Sequence, residues 1–358
     1  METHNMQFRR STKFGNRAVQ EHLNAIRIHN WEMGGTIFGI VGLKGCGKTH
    51  LMLRLAHQIL YRNPNTNKIE PETVIWRGRE LDYWNWMFEP DFEWEGEEFK
   101  REVHIHYWAH DVPHFSLETG DPQFFPSDHV HKYANVHDLY KNLQQGQINV
   151  IYEPTTYQMS EGMSKLIGNR IGKPYEEIGE SIIDSPLWWA ELMFFLYSFK
   201  RAGFITIILD EVDEIFPADI AGLRWHIHAL FADTAKDFRK TNISLIYSIH
   251  DLTDLDYRIR SKTQYWGWMK NARILKSNSL VDPLSPVYLQ RGDIIIECGS
   301  YGKTNLGKFK ERLRVRVHFP TGVGDKTLWE RPAVPLGDLE PVSYQYSQGV
   351  DNIEDYPG

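Results

Sequence analysis

Eight consecutive residues hold the most specific chemistry in the chain: Gly42-Leu43-Lys44-Gly45-Cys46-Gly47-Lys48-Thr49, an uninterrupted G-x-x-x-x-G-K-[ST]. Each residue type answers a need of phosphate recognition. Gly42, Gly45 and Gly47 let the backbone curl until successive N–H groups point into a phosphate-sized nest at a helix N-terminus. The Lys48 ammonium reaches the β- and γ-phosphates of a nucleoside triphosphate, and the Thr49 hydroxyl is a hard oxygen ligand for Mg²⁺. His50 continues into the helix and, with Cys46, counts among the nucleotide-binding positions by its place in the loop. The positive end of a helix can lower a thiol pKa. A small side chain that simply fits is the plainer reading of Cys46.

A second cluster is Ile205-Thr206-Ile207-Ile208-Leu209-Asp210-Glu211. A carboxylate leaving the carboxyl end of an apolar strand is placed to hold a metal's water shell, so Thr49 and Asp210 are the expected Mg²⁺ ligands. Glu211, next to it, suits a general base for an attacking water. That adjacency favours a hydrolase over a small-molecule kinase, which must keep water out. Asp213 and Glu214 read as a solvated helix start or an intersubunit contact. A third strand ends in Ser248-Ile249-His250-Asp251. Ser248 and His250 lie on one face by the period of two, and either could touch the γ-phosphate or the attacking water; Ser248 is counted with the nucleotide-binding positions.

The elements that must position these residues follow from the apolar pattern. Thr36–Val41 is a short apolar strand running into the glycine loop, and Leu51, Leu55 and Ile59 continue at helical spacing. Strands are predicted at Glu72–Arg77, Ile148–Tyr152, Phe204–Leu209 and Ile243–Ile249. Helices are predicted from Asp184-Ser185-Pro186 to Gly203, and over Ile220–Ala235. Arg312–Phe319 alternates strictly, as a strand with one wet, basic face does. Apolar β-branched strands alternating with helices imply an α/β fold with a doubly wound, mostly parallel sheet. The domain reading is an N-terminal arm over 1–30, a core over 31–320 with an insertion at about 69–140, and an extended or disordered tail over 321–358.

Composition bounds the rest. With 358 residues there is one large α/β domain or two small ones, and enough chain to bury a core. Two cysteines cannot build a disulfide framework, which makes a reducing compartment the default. The polar N-terminus is not a signal peptide, and the longest apolar run, Leu187–Phe199, is 13 residues with Glu191 inside it, too short to span a bilayer. The expected localisation is cytoplasmic. The histidines at 104, 106, 110 and 114, and the pair His226 and His228, lack a predictable metal geometry and read as surface or structural.

The net charge of -7 argues against a uniformly basic nucleic-acid coat, but it is an average. Residues 69–128 hold 15 acidic against 4 basic side chains and five tryptophans, whereas Arg258–Arg316 holds 13 basic against 4 acidic. That separation suits a molecule with its positive charge gathered in one place. The acidic segment reads as a surface over an aromatic satellite core, or as a contact surface for a partner.

The order of these motifs, followed by Asp254-Leu255-Asp256-Tyr257-Arg258-Ile259-Arg260 and Leu289-Gln290-Arg291-Gly292-Asp293-Ile294, resembles the HerA/FtsK superfamily of ring-forming, DNA-translocating ATPases over roughly Thr36 to Phe319. That superfamily includes viral genome-packaging ATPases, conjugation pumps and filamentous-phage assembly ATPases. The resemblance implies a P-loop NTPase core of the ASCE/RecA-like kind, ATP and Mg²⁺, and a homohexamer acting on double-stranded DNA. It also implies a capsid or portal partner, without membrane insertion, in the host cytoplasm or on the virion if the source is viral. Lys48 and Glu211 would be catalytic, together with an arginine supplied by the neighbouring subunit, for which Arg260, or Arg258, is the candidate by position. The alternatives are a virion-assembly or extrusion ATPase and a switch-type signalling NTPase that does not move DNA.

Overall fold

The structure is a computed structural model that describes residues 34–49, 51–52, 55–56, 72–78, 91–94, 97–100, 105–110, 125–126, 130–154, 157–179, 182–183, 185–199, 203–275, 281–298, 313–316 and 333–334. The arm over 1–30, most of the tail over 321–358, and His50 lie outside the described residues.

Ten strands form one sheet: β1 (Ile37–Val41), β2 (Glu72–Arg77), β3 (Ile105–Ala109), β4 (Val130–Lys132), β5 (Ile148–Tyr152), β6 (Phe204–Leu209), β7 (Ile243–Ile249), β8 (Tyr265–Met269), β9 (Asp293–Cys298) and β10 (Leu313–Arg316). Their spatial order is β10-β9-β8-β1-β7-β6-β2-β5-β3-β4. Every pairing from β8 to β4 is parallel, while β8–β9 and β9–β10 are antiparallel. β1, β2, β5, β6, β7 and β8 are buried along their whole length. Parallel strands joined by helical crossovers are covered on both faces, which explains why their sequences run almost continuously apolar.

The chain's helices supply that cover. α1 (Val136–Asn142), α2 (Glu161–Ile171), α3 (Ser185–Ser198) and α4 (Gly222–Ala235) pack with the sheet into one apolar core. α3 is hydrophobic nearly all round and packs against both α1 and α4, as a helix buried on several sides must. Asn135 and Ser160 cap α1 and α2 by accepting from Asp138 N–H and Met163 N–H. None of the described helices is long and apolar enough to cross a membrane.

The α/β reading holds, and β2, β5, β6 and β7 lie where the sequence placed them. The predicted helix to Gly203 ends earlier, at Ser198. Within the segment read as an insertion over 69–140, β2 lies inside the sheet and β3 and β4 extend its far edge, while Asp91–Trp94 pairs with Glu97–Lys100, and Phe125–Pro126 with Ala333–Val334, in separate two-stranded sheets. Trp108, on β3, is fully buried, and its indole N–H donates to the buried Asn149 of β5. The predicted Arg312–Phe319 strand is described over Leu313–Arg316, at the antiparallel edge.

Candidate active site

Register assembles the site. Val41 pairs with Ile249 and Leu209 with Tyr247, so residues at or just past the carboxyl ends of β1, β6 and β7 come abreast: Gly42 beside His250, and Asp210 beside Ser248, the penultimate residue of β7. Open parallel sheets bind ligands at this edge.

The glycine loop is dictated by its residues. Gly45 and Gly47 hold φ of 77° and 108°, which strain any other residue. Gly42 is required by crowding instead: a Cβ there would lie 2.7 Å from Cys46 Sγ. The Cys46 side chain is buried, with Sγ 4.0 Å from Met269 Sδ, and burial raises its thiol pKa, against a smaller opposing effect of Lys48. Its chemistry is packing, and its carbonyl accepts from Gly292 N–H at 3.1 Å. That bond brings the 290–293 turn, with exposed Arg291, against the loop.

Lys48 is folded into its own loop. Its ammonium donates to the carbonyls of Gly42 (2.7 Å) and Leu43 (3.3 Å) and lies 3.1 Å from His250 Nδ1. Burial lowers its pKa, and the neighbouring acidic groups only partly offset this. Because an ammonium has donors only, Nδ1 is the acceptor, and Nε2 then carries the hydrogen that faces Glu211 Oε1 at 3.3 Å. Lys48, His250 and Glu211 therefore form one polar chain. On the other side, Thr49 Oγ1 donates to Asp210 Oδ2 at 2.5 Å.

Glu211 occupies the left-handed region, with φ 52° and ψ 58°. For a residue with a long side chain this is strain on the order of 1–3 kcal/mol, of the kind that persists where the surroundings over-determine the backbone. Ser248, fully buried, supplies part of that constraint: its hydroxyl accepts from Glu211 N–H at 3.1 Å and donates to Asp210 Oδ1. It sits behind the carboxylates, and His250 is the residue of that pair that reaches the loop lysine.

The remaining sequence candidates fall apart from this cluster. Arg260, on the short helix α5 (Tyr257–Arg260), is half-buried and donates to Leu252 O at 3.0 Å in its own chain. Arg258 is clamped by Asp256 (2.6 Å) and lies over the Trp225 ring at 4.7 Å. Glu214, read as solvated, pairs with Arg77 at 3.2 Å. Arg77 ends β2 almost fully buried and also grips Glu153, at 2.8 and 2.5 Å, and Glu153 accepts the Trp189 indole N–H. Sequence reasoning missed this bridge, whose partners come from three distant segments. His228 is a core residue 3.6 Å from Asp256, and His106 Nδ1 lies 2.9 Å from His131 Nε2.

A parallel sheet whose β1 runs into this glycine loop, with the Asp210 carboxylate of β6 on the loop threonine, is a P-loop NTPase fold. No protein-family model and no curated protein sequence matches the chain. Among solved structures, the genome-packaging NTPase B204 from Sulfolobus turreted icosahedral virus 2, in complex with AMP, is similar over 80% of this chain and 98% of its own, with 10% identity and a TM-score of 0.40. The DNA-packaging ATPase B204 from Sulfolobus turreted icosahedral virus is similar over 80% of this chain and 100% of its own, with 12% identity and a TM-score of 0.39. The N-terminal domain of zonular occludens toxin from Neisseria meningitidis is similar over 82% and 98%, with 12% identity and a TM-score of 0.31. Scores of this size describe a general likeness and assign no residue role.

Proposed function

We propose that the chain is an ATP-hydrolysing ring motor that translocates double-stranded DNA, for genome packaging or DNA transfer. The observation that carries the hydrolytic part is the juxtaposition of the loop lysine, the Thr49–Asp210 pair and the strained Glu211 at one sheet edge. Thr49 and Asp210 fit Mg²⁺: two hard oxygen donors stand 2.5 Å apart on one side of the loop. The ion supplies charge neutralisation on the terminal phosphates.

The chain's own residues do the rest. Lys48, desolvated and held on neutral carbonyls, transfers to the γ-phosphate oxygens when nucleotide enters the nest formed by Gly42, Gly45, Cys46 and Gly47. Its departure frees His250 Nδ1 while Nε2–H keeps its hold on Glu211. Glu211 Oε takes a proton from the water that attacks the γ-phosphorus, and the bond to the β-γ bridging oxygen breaks to leave ADP. Ser248 orients Asp210 and Glu211 rather than touching nucleotide. Arg260 reaches a neighbour's site only after leaving Leu252 O, which makes its engagement a consequence of ring assembly.

DNA translocation rests on the motif order and on the basic stretch over 258–316. A homohexamer would gather that stretch toward a pore, and a capsid or portal partner would hold the ring in the cytoplasm or on the virion. The test measures ATP turnover with and without linear duplex DNA at low salt. Lys48→Ala should abolish nucleotide binding, and Glu211→Gln should keep binding while lowering turnover about 10²- to 10⁴-fold. Turnover that duplex DNA leaves unchanged, in a protein that stays monomeric with ATP, would sink the translocase reading and leave the switch-type one.

A further inference from the structure

A second cavity opens on the same edge of the sheet, four strand positions from β1 at β5, or about 19 Å away at the usual strand spacing. Its walls come from residues just past the carboxyl ends of β3, β4 and β5 and from one face of α3: His110, Asn135, Pro154, Tyr157, Trp188 and Glu191 are among them. The volume is about 560 Å³, within the range of small-molecule sites. It shares no residue with the P-loop, the Asp210 segment or the end of β7.

Two features of the walls point to a ligand. Glu191 is 5% exposed, and among the described residues its single hydrogen bond is a long one, from Ser160 N–H to Oε2 at 3.4 Å. Among the described residues, no lysine or arginine lines the cavity. A buried carboxyl without a countercharge keeps its proton, and burial pushes Glu191 up to about 8, only partly opposed by the Ser160 N–H. Tyr157 is equally enclosed, and its hydroxyl has no hydrogen-bond partner among the described residues. Trp188 adds an aromatic wall, fixed edge-on to Trp189 at 5.2 Å and tilted against Tyr133 at 5.5 Å.

We propose that this cavity is a binding site for a small aliphatic ammonium ion, a diamine or polyamine, with Glu191 receiving the ammonium and Trp188 lying along its methylenes. A cation supplies the charge that the cavity lacks. Aromatic faces favour ammonium groups once both are desolvated, and a polyamine's hydrocarbon stem suits the apolar remainder of the wall. Among the described lining residues, none offers an anion a lysine or arginine.

Binding has a signature that surface charge does not imitate. An ammonium converts neutral Glu191 to the carboxylate, so the complex must release a proton at pH 7. The other titratable groups among the described lining residues are His110 and Tyr157. The full chain is titrated with spermidine at pH 7 by calorimetry in two buffers of different ionisation enthalpy. Saturable binding with release approaching one proton per site is expected. Glu191→Gln, which keeps the side-chain shape, should abolish the release and weaken binding at least tenfold. Trp188→Phe should weaken binding several-fold with the release intact, and His110→Gln should leave the release unchanged. Retained nucleotide binding at the P-loop shows that each variant is folded. Absence of saturable binding, or binding whose affinity and proton count survive in Glu191→Gln, would overturn the proposal.

Discussion

Glu211 places backbone geometry and chemistry at one position. Its left-handed conformation costs about what glycine would recover, so Glu211→Gly should stabilise the fold by about 1 kcal/mol while removing the proposed general base. Chemical denaturation read beside ATP turnover checks this: a variant that loses both stability and turnover would show that the conformation carries no strain. The residues of this site were legible to different depths. Gly42, Gly45, Gly47, Lys48, Thr49, Asp210 and Glu211 announce themselves because phosphate and Mg²⁺ tolerate few alternatives. The Lys48–His250–Glu211 chain does not, because it exists only when Val41 pairs with Ile249, and pairing register is not written in either strand alone.

Among elements, the helices carry buried ionisable groups whose effects on stability have opposite sign. On α3, Glu191 titrates at about 8 when folded against 4.5 as a free side chain. The folded chain therefore binds more protons between those values, and stability falls as pH rises from about 4.5 to 8. On α4, His228 is held neutral mainly by burial, its pKa lowered to about 4, so stability there falls as pH drops below about 6.5. Glu191→Gln should consequently leave the melting temperature unchanged near pH 4.5 and raise it by several degrees at pH 8. A melting difference independent of pH would place an ordinary carboxylate at 191. The strands show why sequence finds some elements and not others. Phe204–Leu209 is apolar and β-branched almost throughout, and Ile243–Ile249 is an apolar run broken only by Ser244 and Ser248. Tyr265–Met269 mixes aromatic rings with Gly267, whose missing side chain makes room for Ile294 and Phe38, so no periodicity marks it. Ile105–Ala109 hides in a segment whose acidic composition suggested an excursion from the core.

For the whole molecule, the proposed ring turns on what one copy supplies to the next. Within a single chain Arg260 bonds to Leu252 O and Arg258 to Asp256, so neither completes its own nucleotide site. If Arg260 serves a neighbour, Arg260→Ala should bind ATP normally and lose about 10³-fold in turnover. Mixing it with Glu211→Gln protein should restore part of the activity, because some interfaces then pair an intact Glu211 with an intact Arg260. Full activity of Arg260→Ala alone would remove it from the site. Charge segregation along the chain was legible by counting, since it depends on composition and not on folding.

The sheet order also dictates when these parts can come together. β1 is made early, yet its neighbours are β7 and β8, and Thr36 N–H is bonded to Ser244 Oγ across 208 residues of chain. The loop that follows β1 is braced still later, by Gly292 on Cys46 O. On a ribosome the phosphate nest therefore emerges long before anything can hold it open, and at about 5–20 residues per second it waits on the order of ten seconds or more for β7 to β9. Through that interval an apolar strand lacks both of its native neighbours, and its open edges are of the kind that pair with other chains.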